Sequence, residues 1–432
     1  MKVLLIAKHS IVEPLGIMFL CSVLRDNGHE VEVSLIQDAK DSNLLQKVCQ
    51  SNYDLIGLSA YTGFHKTIFE LSNYFRSRGL KTVIGGSHAT FFSSDCLNYA
   101  DYVVRGEGFK SILSVLDGTK KGIVFNPQLV PSQDIPIPYR EPIYTPYLSF
   151  RVNPIKNVIT SFGCPYSCSY CYNDSYKKLY PDFKIRQRSV SSTIEECREL
   201  KRYPLKLIYF EDDCFGLSLE WLTEFSVDYK NLVNVPFHCQ LRPEMVTQDR
   251  LELLKAAGCQ GITMAIETSN EEVRRDLLNR KTTNNEITNA CNLVKKYNIK
   301  LRIEQMLGLP NTTLEDELDL LKLNVFLKPD MSWVSIYSPY LGTTLGDYCK
   351  AVGLYSGNNN DLSDSFFSNS ALNFSSKRLI NTNTLHKIFS TCALFKNGQE
   401  LAKNYLILSD FTLSGWFNAT RKHLFDNYLY ST

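Results

Sequence analysis

A chain of 432 residues, 44% hydrophobic and 21% charged, is long enough for two domains with full cores and is composed like an ordinary globular protein. Its net charge of +2 gives no electrostatic case for nucleic acid or an anionic membrane as partner. No run of about 18 apolar residues could cross a bilayer, and the apolar start MKVLLIAKHS is too short for a signal-peptide core.

Thirteen cysteines in such a chain argue for reduced thiols and a cytoplasmic setting, most of them buried as small hydrophobes.

From residue 1 to about 118, short apolar strands alternate with helical patterns, the mark of a parallel α/β sheet. The strands are expected at 3–6, 31–36, 55–59, 82–84 and 102–104. Between the first two, IMFLCSVLRDNG (17–28) has helical spacing and runs to a glycine suited to the left-handed C-cap. In doubly wound sheets ligands sit beyond the carboxyl ends of the strands. That draws attention to the loops KHSIVEPLG, SAYTGFHK, GGSHAT and RGEGFK. Seven prolines between residues 120 and 154 are too many for a regular element and predict a linker.

A second α/β series follows, with strands expected at 158–161, 206–210, 237–240, 261–265, 301–305 and 333–337. TIEECRELKRY and LEDELDLLKL between them carry helical periodicity. Six such units suggest a partial parallel barrel with its chemistry at the strand C-termini. Beyond about residue 347 the pattern weakens: SGNNNDLSDS (356–365) reads as a polar loop, and HKIFSTCALFKNGQELAKNYLILSDF (386–411) as helical.

The sharpest chemical signal is GCPYSCSYCYN (163–173), where Cys164, Cys168 and Cys171 crowd one loop directly after a strand and no fourth cysteine stands nearby in the sequence. A structural zinc site normally takes four protein ligands, and so does an ordinary ferredoxin cluster. The alternatives are incidental buried thiols, or zinc completed by a distant Cys or His.

This CxxxCxφC loop, with Tyr170 as its aromatic, resembles the radical S-adenosylmethionine (SAM) superfamily at every defining position. The resemblance implies a [4Fe-4S] cluster on Cys164, Cys168 and Cys171, with its fourth iron open to the amino and carboxylate groups of SAM, which is cleaved to a 5′-deoxyadenosyl radical. Tyr170 would pack near the adenine. LIYFEDDCF (207–215) is similar to the family's second-strand segment and makes Glu211 or Asp212 the candidate for the SAM amino group. LRPEMV and AIETSNEEV contribute Arg242 and Glu267 at the next two strand ends. QMLGLPNTT (305–313) resembles the turn beside the adenine through Leu309, with Asn311 and Thr312 where the family has Gly and Glu.

The first domain is similar to the cobalamin-binding module that precedes the barrel in one large class of these enzymes. PLGIMFLCSVLRDNGHEVEV, YDLIGLSAYT, VIGGSHAT and YVVRGEG occur in the module's order. The implied cobalamin contacts are Pro14, Leu15, Gly16, Ser59, Tyr61, Thr62, His65, Gly85, Gly86, His88, Gly106, Glu107 and Gly108. No histidine has both flanks of a DxHxxG motif, so ligation of cobalt through that motif is not expected. Tyr61, Thr62, Phe64 or His65 would instead fill the space below the metal.

The fold implied is α/β: a Rossmann-like, doubly wound cobalamin-binding domain (1–120), a proline-rich linker (121–154), a partial (β/α)6 radical SAM barrel (155–345) and a mostly helical substrate-capping region (346–432). The activity implied is methylation of an unactivated carbon in a small-molecule or peptide substrate held in the inter-domain cleft. A flavodoxin or ferredoxin would supply electrons. A cyclase or ring-rearranging enzyme with the same cofactors, and a non-catalytic cobalamin carrier, are the alternatives. No residue identifies the substrate.

Overall fold

The computed structural model of the protein describes residues 1–365, 367, 369–408 and 413–430. The chain forms two compact units, one of residues 1–159, 175–205 and 359–364, the other of residues 160–174, 206–358 and 365–432.

The first unit is built on six parallel strands: β1 (Lys2–Lys8), β2 (Glu30–Ile36), β3 (Leu55–Ser59), β4 (Thr82–Gly85), β5 (Tyr102–Arg105) and β6 (Gly122–Phe125), in spatial order 2-1-3-4-5-6. Their Val/Ile/Leu runs suit a sheet covered on both faces. Along β1 the side chains alternate between two cores: Leu4 and Ile6 pack with Ile56, Ile84 and Phe75, whereas Val3 and Leu5 pack with Val33, Val83 and Tyr144. The order reverses at β1, whose neighbours are β2 and β3, and this opens a crevice at the carboxyl ends of β1 and β3.

Five of the six strands fall where the alternation predicts them; β6 lies in the stretch expected to be linker. The helix Leu15–Asp26 ends as anticipated. Gly28 takes φ 77°, its N–H bonds Arg25 O at 3.0 Å, and the His29 N–H bonds Leu24 O at 3.0 Å, a Schellman closure.

The proline-rich stretch is not a free tether. It forms short helices Glu141–Tyr144 and Leu148–Val152, and Ile143, Tyr144 and Phe150 are buried in the first unit's core. The Tyr147 hydroxyl accepts from the Leu35 N–H at 2.6 Å, and the Tyr144 hydroxyl donates to buried Glu13. The reason is composition: its prolines alternate with large apolar and aromatic residues that the sheet can bury.

Strands β7 (Ile155–Val158), β8 (Ser161–Phe162) and β9 (Arg186–Gln187) are short; β7 lies earlier than the strand expected at 158–161. The second unit carries β10 (Leu207–Phe210), β11 (Phe237–Leu241), β12 (Cys259–Glu267), β13 (Lys300–Leu307) and β14 (Met331–Ile336), each parallel to the next, in a curled half-barrel sheet. On one face Tyr209 stacks on His238 at 4.4 Å, and Arg302 lies over Trp333 at 4.7 Å.

The helix Leu413–Tyr430 packs on that face. Tyr428 Oη is 2.9 Å from His238 Nε2, and Arg421 sits 5.6 Å from the centre of Trp333. The helical stretch expected at 386–411 occurs as parts of Ser376–Cys392 and Gly398–Leu408; residues 409–411 lie outside the described residues. The polar loop at 356–365 contains only one short turn, Asn359–Asp361.

Candidate active site

The cysteine loop leaves β8 through Gly163, whose φ of 102° is open to glycine and strained for other residues. Backbone bonds then pin it. The Cys171 N–H reaches Cys168 O at 3.1 Å, the Ser169 N–H reaches Leu278 O at 3.1 Å, and Ser169 O accepts from the Leu345 N–H at 2.8 Å. Asn279 Nδ2 donates to Ser167 O at 2.7 Å. Cys168 is buried, and Cys164 and Cys171 are half-buried.

Arg242, just beyond β11, donates from Nη1 to Cys168 Sγ at 3.1 Å, lies over the Tyr166 ring at 3.7 Å and pairs with Glu244 at 2.8 Å. Burial opposes the charge of Glu244, but bonds from Arg242 and Thr282 outweigh it and hold its carboxyl at about 2. Arg242 therefore presents a fixed positive charge to the sulfur of Cys168.

Tyr170 is tied from below. Its hydroxyl donates to Glu267 Oε1 at 2.5 Å, and Arg280 Nη1 meets the same oxygen at 3.0 Å and the Tyr170 hydroxyl at 3.1 Å. Glu267 has φ 67° at a register shift between β12 and β13, a costly conformation for a non-glycine residue and one that concentrates at functional sites. The three side chains make Tyr170 a fixed aromatic surface on the cysteine loop.

The two acidic candidates at the end of β10 divide. Asp212 is fully buried and accepts from the Thr160 N–H at 3.0 Å, the Thr160 hydroxyl at 2.7 Å and the Ser161 hydroxyl at 2.5 Å. Burial raises it to about 6 despite those bonds. It braces the entry to the loop. Glu211 is half-buried on the strand parity of Tyr209. Asp213, which sequence reasoning passed over, is exposed, bonds Asn173 and acts electrostatically on both Cys164 and Cys171. Strand alternation alone, with Phe210 inside the wall and Tyr209 on the face with His238, would have separated Glu211 from Asp212.

Leu309 is buried in a turn where Asn311 takes φ 58°. Asn is among the non-glycine residues best suited to that region, so it serves the turn where the family pattern has Gly. Thr312 closes the turn through its hydroxyl on Leu309 O at 2.8 Å.

A fourth thiol, absent from the local sequence, arrives through space. Cys214, buried beyond β10, has its Sγ 4.0 Å from Cys164 Sγ. This contact lowers Cys164 to about 7 against the effect of burial and raises Cys214. Among the described residues no three His, Cys, Asp or Glu are gathered closely enough for a single metal ion. The donor set itself, three pinned thiols of which one takes a cationic hydrogen bond, fits an iron–sulfur cluster, where each cysteine meets its own iron.

In the first unit the loops after β1, β3 and β4 meet at the crevice. Pro14, Leu15 and Gly16 start the helix Leu15–Asp26, and nothing lies within 4 Å of a Cβ added at Gly16. The Ala60 N–H bonds Gly85 O at 2.8 Å, and the His88 N–H bonds Ala60 O at 3.0 Å. This approach is so close that a Cβ on Gly86 (φ 98°) would meet Ala60 O at 2.5 Å. Ser59 ends β3, and Tyr61 stacks against Phe64.

Buried His65 and His88 stack at 4.1 Å. Thr62 Oγ1 is 2.9 Å from His88 Nδ1, and His88 Nε2 is buried without a hydrogen-bond partner. His65 Nδ1 accepts from the Gly63 N–H at 3.1 Å, and its Nε2 is 3.1 Å from Asn360 Oδ1. Open space at Gly16 and an orphaned ring nitrogen in this crevice fit a large planar ligand with polar substituents.

The RGEG loop is differently engaged. Glu107 pairs with Arg186 at 2.6 Å and accepts from the Val130 N–H at 2.8 Å. A Cβ on Gly106 would strike the Tyr180 hydroxyl, and one on Gly108 would touch Leu20.

Burial, then the neighbouring His65, depresses His88 from 6.5 to about 3. Between these values the unfolded chain takes up a proton that the folded chain refuses. The contribution of His88 to stability is therefore full above pH 6.5 and falls as the pH drops, by up to about 1.4 kcal/mol per pH unit. Urea titrations from pH 7 to pH 4.5 should record the loss, and His88→Gln should make it shallower, buried His238 and His386 contributing the rest in the same sense.

Two family models match the chain: the B12 binding domain over residues 1–115 and the radical SAM superfamily over residues 158–323. The chain joins a B12-binding domain to a radical SAM domain. It is a radical SAM enzyme with methyltransferase relatives. An uncharacterised methyltransferase of Pyrococcus horikoshii is 24% identical over 79% of this chain and 79% of its own length. An anaerobic magnesium-protoporphyrin IX monomethyl ester cyclase of Rubrivivax gelatinosus is 23% identical over 76% of this chain and 64% of its own.

The fold matches the radical SAM methyltransferase TsrM of Kitasatospora setae, solved with cobalamin and a [4Fe-4S] cluster. The TM-score is 0.65 at 18% identity, covering 81% of this chain and 78% of that one. The radical SAM domain thus contains the cysteine loop, Arg242 and the Tyr170–Glu267–Arg280 group, and the B12-binding domain contains the His65–His88 crevice. Among the described residues no helix is long and apolar enough to cross a membrane.

Proposed function

We propose that the chain is a cobalamin-dependent radical SAM methylase acting on an unactivated carbon of a small-molecule or peptide substrate, with a flavodoxin or ferredoxin as electron donor. The observation that carries this reading is the presence in one chain of a B12-binding domain and of a three-cysteine loop held by Arg242. When bound, the cluster and SAM supply a 5′-deoxyadenosyl radical, and cobalamin supplies the methyl group.

The protein's own part is to bind, orient and exclude water. Cys164, Cys168 and Cys171 would hold the cluster, and the Arg242 guanidinium donates a hydrogen bond to the Cys168 sulfur. Tyr170, immobilised by Glu267 and Arg280, offers a flat wall for an adenine. Glu211 and Asp213 place two carboxyl groups at the end of β10, suited to an ammonium group. Pro14–Gly16, Thr62, His65, Gly85, Gly86 and His88 would hold the corrinoid. Buried His88 stays neutral at physiological pH, and His65, shifted down by burial, favours its neutral form.

The Rubrivivax cyclase supports a second reading, rearrangement or cyclisation with the same cofactors. Anaerobic reconstitution with iron, sulfide and cobalamin separates the two. Methylation should yield S-adenosylhomocysteine and 5′-deoxyadenosine in about equal amounts by mass spectrometry. Cyclisation should yield 5′-deoxyadenosine with little of the other, and no 5′-deoxyadenosine with the correct substrate would sink both.

A further inference from the structure

Cys214 is unused by the scheme above, yet it sits against a proposed cluster ligand. It follows β10, whose end is fixed by the Phe215 N–H on Gln240 O at 2.9 Å. It is 1% exposed, beside the fully buried Phe215 and Asp212, and its Sγ is 4.0 Å from Cys164 Sγ. That is a sulfur–sulfur hydrogen-bond separation. It is shorter than two cysteines on different irons of one cluster would keep, so Cys214 is placed to address the Cys164 sulfur and not an iron of its own.

We propose that the Cys214 thiol donates a hydrogen bond to the Cys164 sulfur and thereby sets the reduction potential of the cluster. The inference rests on the reading of Cys164 as a cluster ligand. One-electron reduction adds negative charge that the cluster shares with its cysteine sulfurs. An S–H dipole aimed at one of them stabilises the reduced form and makes the potential less negative. Cys214 keeps its proton throughout, the electron comes from the external donor, and no bond is made or broken at Cys214. Burial matters here, because Cys214 at 1% exposure has almost no access to water as an alternative acceptor. Cys214 is a positioning residue: it touches a ligand, not SAM or substrate.

The test is a redox titration of the reconstituted full chain followed by electron paramagnetic resonance, with iron and sulfide assayed in every sample. Cys214→Ala should retain a full cluster and titrate at a more negative potential than the wild type. Cys214→Ser, whose hydroxyl can donate in place of the thiol, should lie closer to the wild type than Cys214→Ala does.

An unchanged potential in Cys214→Ala overturns the proposal while leaving the cluster reading intact. Loss of iron in that variant, with the wild type fully loaded, makes Cys214 a ligand and also overturns it. A wild type that builds no four-iron cluster refutes both readings. Should Cys214→Ala fail to fold, Cys214→Val takes its place: its Fe–S(Cys) resonance Raman band should shift less on exchange into D2O than that of the wild type, the Arg242 bond to Cys168 supplying the remainder. Equal shifts in the two proteins refute the hydrogen bond.

Discussion

The variant with Cys164, Cys168 and Cys171 all changed to Ala is expected to lose iron–sulfur absorbance and all 5′-deoxyadenosine formation while keeping its fold. The chemical loss should be total because no other side chain can replace three thiolates on one loop. Cys214, the fourth thiol within reach, is single and buried. The structural loss should be small. Cys164 and Cys171 are half-buried, and the loop's position depends on backbone bonds at Ser167 and Ser169 and on the turn at Cys171, none of which needs a sulfur.

Removing Cys168 does leave Arg242 without one partner, but Glu244 and the Tyr166 ring still hold it. The circular dichroism spectrum should therefore be unchanged, and the unfolding free energy should shift by about 1–3 kcal/mol, as for an ordinary buried substitution. Turnover surviving in this variant would remove the radical reading altogether.

Much of this site was legible in the sequence because it depends on local order. Strand alternation located β1 to β5 and β10 to β14 to within a few residues, and three cysteines in eight positions are a local pattern. Asn311 in the turn after β13 departs from the family pattern, and its φ of 58° supplies the reason that a sequence pattern could not.

What escaped was built by contacts between residues far apart in the chain. Arg280 belongs to no motif, yet it holds Tyr170, 110 residues away. Cys214 meets Cys164 across 50 residues. Asn360 of the polar loop meets His65 across 295 residues. The prolines of 120–154 suggested a linker because proline reports only on what backbone it forbids. It says nothing of the Ile143, Tyr144 and Phe150 side chains between them that the first sheet buries.

Arg280→Ala is expected to destabilise the protein by about 3–5 kcal/mol, the cost of stripping one partner from a buried ion pair. Arg280 and Glu267 are 4% and 6% exposed, and the guanidinium also caps Ala265 O at 2.5 Å. Without it the Glu267 carboxylate is left buried with only the Tyr170 hydroxyl, on a residue whose backbone is already strained. Neutralising that carboxylate should recover part of the loss. Arg280→Ala combined with Glu267→Gln should be less destabilised than the sum of the two single variants, because the second change removes the charge that the first leaves unpaired.

The same comparison separates support from chemistry. If Tyr170 needs this pair only for rigidity, the double variant regains stability but still binds SAM weakly, since the glutamine cannot accept from Tyr170 with a carboxylate's strength. Denaturant unfolding and SAM binding measured on all four proteins would show this. Additive losses in stability would mean that Glu267 and Arg280 do not act as a pair.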